Sequence, residues 1–207
     1  MKAGRDDNLP VFDSDVTQEL SKLVGRAGVG MGSLVVLTGA SGAGKTTIAH
    51  SVEKRELPNC EVHFFDSIGV PSVEQMHRKY GPGHQPGGAW QRAMTLRWIR
   101  RIAGTLNRRT SVLFEGQMRI AFIREALAEN RISSAHILLL DCDDTTRAER
   151  LHVHRAQPEL ANPDTMNWAR YLREEAYAAD VRVLDTGRLS LAECVSVIVE
   201  RLREQRL

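Results

Sequence analysis

The chain has 207 residues, is 42% hydrophobic and 26% charged, and carries a formal net charge of +2. That balance is too apolar for a disordered chain and too poor in cysteine for a disulfide scaffold, and the length suits one α/β domain. Of the 28 basic residues 23 are arginine and five are lysine, a skew that fits phosphate chemistry, nucleic acid or an ordinary solvated surface.

Cys60, Cys142 and Cys194 lie far apart and form no CxxC, so a reducing compartment, the cytoplasm, is expected. The amino terminus MKAGRDDNLP holds two acids and no apolar stretch, which does not read as a signal peptide. No apolar run approaches the length of a membrane span.

In chain order, residues 1–32 read as a leader, with a short helix from Asp13 or Ser14 to residue 24 that ends in a glycine-rich stretch. The sequence LVVLT at 34–38 is a continuous apolar run, the mark of a strand buried on both faces. A helical pattern occupies 45–55, a second strand 61–66 and a helix 72–79. Residues 80–88 are too rich in glycine and proline for regular structure.

A long helix follows, with Trp90, Met94, Trp98, Ile102 and Leu106 at four-residue spacing, a stripe read as core. Strands at 111–115, 135–141 and 181–185 then alternate with helices at 117–130, 144–155, 165–179 and 191–206. The segment AQPELANPD at 156–164 interrupts the pattern. Alternation of this kind predicts a three-layer α/β domain over 33–207, built on a five-stranded parallel sheet with a short lid near 156–164.

Gly39-Ala40-Ser41-Gly42-Ala43-Gly44-Lys45-Thr46 matches GxxxxGK[ST] in full, after a buried strand and before a helix. Glycines let the backbone curl so that its N–H groups face phosphate oxygens, and the helix adds its positive end. Lys45 is expected to reach the β- and γ-phosphates and Thr46 to offer its hydroxyl to Mg²⁺, with Thr47 beside them. The expected ligand is ATP with Mg²⁺.

No NKxD-type guanine motif and no LSGGQ-like signature is present. The choice lies between a P-loop kinase and a regulatory or nucleic-acid-linked ATPase. ILLLD at 137–141 and VLFE at 112–115 each have the form of a Walker B strand. A kinase would use Glu115 near the phosphate loop. A motor ATPase would use Asp141 to hold Mg²⁺.

Residues 33–206 resemble the small-molecule and nucleotide kinase branch of the P-loop fold, including shikimate, gluconate and chloramphenicol kinases. The resemblance rests on the phosphate loop, on Asp66 after the second strand, on LDCDDTTRAERLHVHR at 140–155 and on VLDTG at 183–187. It implies a sheet with the second strand at an edge and the phosphate-loop strand at the centre. It also implies that Asp66 meets the acceptor, accepting a hydrogen bond from its hydroxyl and aiming it in line. A helix-capping or strand-end aspartate is the competing reading of Asp66.

The same resemblance places Glu115 near a Mg²⁺-bound water or a substrate hydroxyl, with Gln117 and Arg119 in reach of the acceptor. The alternative is that Glu115 and Gln117 open a helix and stabilise its positive end. Arg150 and Arg155, with Arg147 as a weaker third, match the lid arginines that stack on adenine or clamp phosphates. They compete with surface pairing to Glu149, Glu174 or Glu175. His152 and His154 are two apart, which argues against a metal pair.

Arg92, Arg97, Arg100, Arg101, Arg108 and Arg109 make the long helix basic. The low aromatic count favours a solvated face over an RNA site, so the expected partner is a small-molecule acceptor.

Overall fold

The structure is a computed structural model that describes residues 31–81 and 88–204. The predicted leader helix and most of the 80–88 loop lie outside the described residues. The described chain forms a five-stranded sheet, all neighbours parallel, in the order β2-β3-β1-β4-β5. The strands are β1 (Leu34–Thr38), β2 (Cys60–Phe64), β3 (Ser111–Glu115), β4 (Ala135–Asp141) and β5 (Arg182–Asp185). As expected, β2 is an edge and β1 is central.

The helices are α1 (Lys45–Glu53), α2 (Val73–Tyr80), α3 (Ala89–Leu106), α4 (Ile120–Glu129), α5 (Asp144–Glu149), α6 (Pro163–Ala178) and α7 (Leu191–Arg203). The residues of β1 and β3 are all buried, because helices cover both faces of the sheet. Alternation along β1 divides the core. Val35 and Leu37 pack with Ile48 and Val52 of α1 and Val195 and Ile198 of α7. Leu34 and Val36 face Trp98, Ile99 and Ile102 of α3 and Ile123 of α4. The stripe on α3 is core, with Trp90 and Met94 at its half-buried end.

Four helices start on side-chain caps that satisfy otherwise orphaned N–H groups. Ser72 with Gln75 and Ser190 with Glu193 form capping boxes at α2 and α7, and Asp143 and Asn162 cap α5 and α6.

Two boundaries differ from expectation for identifiable reasons. The helix expected from Gln117 starts at Ile120, because both the N–H and the carbonyl of Met118 are bonded to the Thr38 hydroxyl, 3.1 and 2.5 Å away. The helix expected over 144–155 is α-helical only to Glu149, and Arg150–His154 winds as a π-turn. Hydrophobic periodicity does not reveal that change, since it lies in the backbone hydrogen-bond register.

Candidate active site

The phosphate loop leaves the carboxyl end of β1 and enters α1 through glycines in backbone conformations that side chains rarely adopt. Gly42 and Gly44 have φ of 79° and 87°. A Cβ on Gly39 would stand 2.3 Å from the Leu140 carbonyl oxygen, so this position tolerates no side chain. Lys45 is 9% exposed and donates from Nζ to the Ala40 carbonyl at 3.1 Å. Burial lowers its pKa from 10.5 to about 8, against the opposing fields of Glu115 and Asp66. Thr46 and Thr47 are exposed beside it.

Strand register brings the other acids to the same carboxyl end of the sheet. Leu37 lies opposite Glu115, and Phe64, which precedes the Asp66 turn, pairs with Glu115 from the far side. Glu115 is 6% exposed; burial raises its pKa, while the Lys45 charge and a hydrogen bond with Thr46 pull it down. Asp66 sits in a single 3₁₀ turn, Phe65–Ile68, with its carboxylate exposed and no hydrogen bond from another described residue. Its charge acts on both Lys45 and Glu115. The capping role open to Asp66 in the sequence is therefore not what its side chain does.

The spacing of this turn depends on Gly116. A Cβ there would lie 2.4 Å from the Phe65 Cβ. Phe65 is pressed onto the bare glycine, and the next residue is Asp66.

A cavity of about 590 Å³ opens over the phosphate loop. Lys45, Thr46 and Thr47 line it together with Arg150, His154 and Arg155, and with Thr186, Leu189, Leu191 and Cys194. Arg155 is exposed, and its charge reaches Lys45. Arg150 does not pair with Glu149, Glu174 or Glu175. Its guanidinium donates to the Thr186 hydroxyl at 2.8 Å and carbonyl at 2.6 Å, and to the Gly42 carbonyl at 3.4 Å.

Arg147 stands elsewhere. It is wholly buried and bonds Asp141 at 2.5 Å, the Cys142 carbonyl at 3.1 Å and the Ser41 carbonyl at 2.8 Å. Arg173 takes the second oxygen of Asp141 at 2.5 Å. Both Asp141 oxygens are thereby committed to arginines.

Gln117 faces the phosphate loop, accepting from the Ser41 hydroxyl at 3.4 Å. Arg119 lies between the rings of Phe122 and Tyr171, 5.0 Å from each centroid, and pairs with Glu175 at 3.5 Å. Glu175 also accepts from the N–H groups of Ile120 and Ala121. It stabilises the start of α4, the role that one reading of the sequence gave to Glu115 and Gln117.

Four contributors were missed in the sequence: Gln91, which bonds the Gln117 carbonyl and the Arg119 N–H; Arg173; Thr186; and Gly116. Only Thr186 carried a signal, as part of the VLDTG ending.

Among the described residues no group of three or more His, Cys, Asp or Glu could hold a metal ion. Thr46 and Glu115 offer two hard oxygen donors, which suits Mg²⁺ completed by phosphate oxygens and water. The three cysteines are free thiols, and no described helix is long and apolar enough to cross a membrane.

The chain matches no protein-family model and no curated protein sequence. Among solved structures it is similar to shikimate kinase from Acinetobacter baumannii in complex with shikimate, at 17% identity over 84% of this chain and 94% of that one, TM-score 0.54. A sugar kinase from Janibacter sp. HTCC2649 matches at 24% identity over 83% and 94%, TM-score 0.56. Deoxyadenosine kinase from M. mycoides with bound dATP matches at 17% identity over 83% and 100%, TM-score 0.56. The chain has the fold of the P-loop small-molecule kinases.

Proposed function

We propose that this chain is an ATP- and Mg²⁺-dependent kinase that phosphorylates a hydroxyl or phosphate of a small-molecule acceptor in the reducing cytoplasm. The observation that carries this reading is the convergence of Asp66 and Glu115 on Lys45, from three separate strand ends.

In this reading the phosphates lie on the loop 39–46 and Lys45, and the base lies among Leu189, Leu191 and Arg150 of the cavity lining. Mg²⁺, held through Thr46 and Glu115, would neutralise phosphate charge. Asp66 orients the acceptor hydroxyl. Its oxygen bonds to the γ-phosphorus while the bond to the β,γ-bridging oxygen breaks, and that electron pair leaves with ADP. The hydroxyl proton passes to Asp66. A loose transition state asks for positioning and charge stabilisation before strong basicity, so the main demand on Asp66 is orientation. Arg155 lies at the start of the 156–164 segment, which closes as a lid and excludes water.

The ATPase alternative requires Asp141 as a metal ligand, and the two arginines on its oxygens weigh against it. ADP release measured with ATP alone, with pooled metabolites and with RNA or DNA tests the reading. Turnover that depends on a small molecule is expected; stimulation by polynucleotide alone would overturn it.

A further inference from the structure

A second cleft, of about 350 Å³, lies between the loop after Asp66, α2 and α3. Its apolar lining comes from Ile68, Tyr80, Trp90 and Met94, and its charged lining from Lys79 and Arg97. Trp90 packs edge-on against Phe65, with centroids 5.6 Å apart, so this wall adjoins the turn that carries Asp66. Ile68 is 39% exposed and neighbouring Val70 55%, leaving apolar surface open at the turn.

The charges are one-sided. No carboxylate belongs to the described lining, and neither Lys79 nor Arg97 has an ion-pair partner among the described residues. Lys79 only approaches the Tyr80 ring, at 5.5 Å. Of the other cations on α2 and α3, Arg78 pairs with Glu74 and Arg92 with Glu125. Two unneutralised cations on an aromatic cleft are complementary to an anion attached to a flat apolar body.

We propose that this cleft holds the acceptor and selects an aromatic or similarly flat apolar molecule bearing a carboxylate or phosphate between Lys79 and Arg97. The inference rests on the kinase reading for its placement of the acceptor beside Asp66. It specifies the substrate class, excluding open-chain polyols and uncharged sugars as preferred acceptors.

The test is calorimetric titration of the full chain with four probes: 4-(hydroxymethyl)benzoate, 4-(hydroxymethyl)phenyl phosphate, the neutral 4-(hydroxymethyl)benzamide, and gluconate. At least one aromatic anion should bind about tenfold more tightly than both the amide and gluconate, and the better of the two names the anion. Arg97→Gln should bring that anion down to the level of the amide, with ATP affinity unchanged, while Arg203→Gln on α7 changes neither. Equal binding of the amide or gluconate, or an unaltered Arg97→Gln, would overturn the proposal.

Phosphotransfer from ATP to the same probes and to pooled metabolites separates this proposal from the reading beneath it. Phosphorylation confined to polyols overturns the substrate class and leaves the kinase. Aromatic-anion binding with no acceptor phosphorylated in any pool supports the cleft's ligand class and removes the kinase.

Discussion

Arg147 and Asp141 meet at 2.5 Å with the guanidinium entirely out of solvent, and the same guanidinium reaches the phosphate loop at Ser41. This joins the end of β4 to the loop through a charge pair. Removing one member of a buried pair leaves the other uncompensated, at a cost of about 3–5 kcal/mol. Asp141→Asn should therefore lower unfolding stability by roughly that amount in denaturant titration. A variant of unchanged stability and no turnover would instead mark Asp141 as a metal ligand.

Lys45 gives a pH prediction with a definite sign. Burial lowers its pKa from 10.5 to about 8, and bound phosphates would restore its charge. Nucleotide binding near pH 9 should take up close to one proton, and near pH 6.5 none. Calorimetry in buffers of different ionisation enthalpy measures this. The unliganded protein should also gain stability as pH rises from about 8 to 10.5, because there the unfolded chain retains a proton that the folded chain has lost.

Glu115→Gln removes the carboxylate beside Thr46. We expect the magnesium concentration for half-maximal turnover to rise about tenfold or more. Because burial raises the Glu115 pKa, the wild-type magnesium requirement should climb on acidification before an ordinary exposed glutamate would protonate. A flat magnesium requirement in both experiments would remove Glu115 from the metal site.

The parts that were legible in the sequence share a property: their signals are local. LVVLT shows its double-sided burial in five consecutive residues, and the phosphate loop declares itself within eight. Asp66 could be picked out because its place after the second strand matches the kinase resemblance. The hidden parts depend on partners remote in sequence. Arg173 acts on Asp141 across 32 residues, Gln91 on the 117–119 turn across 26 to 28, and Glu175 on the start of α4 across 54 and 55. Each is a polar residue on a helix and reads as surface until the helix is placed. Arg147 misleads for the same reason, since its spacing suits a lid arginine and its burial does not.

Asp66→Asn retains the size of the side chain and loses its charge. Turnover should fall about 100-fold, with nucleotide affinity unaltered, as expected for a group that orients and deprotonates the acceptor. Unchanged acceptor phosphorylation would show that Asp66 does neither. Steady-state kinetics with a titration of ATP binding makes the distinction.

Gly116→Ala would place a methyl group 2.4 Å from the Phe65 Cβ. Overpacking of this kind costs about 1–3 kcal/mol unless the backbone moves. The expected result is lower stability and a raised KM for the acceptor, with the KM for ATP little changed. An equal rise in both would show that the strain is not confined to the Asp66 turn.

That glycine also determines what kind of ruler separates the two halves of the site. The Phe65 contact is carbon on carbon, and repulsion between such atoms rises steeply over a few tenths of an ångström. Unlike an exposed ion pair, it is indifferent to salt and to protonation. The spacing between the Asp66 turn and the Glu115 end of β3 is thus gauged by a steric stop. That spacing does not depend on the ionic conditions that weaken exposed charge pairs.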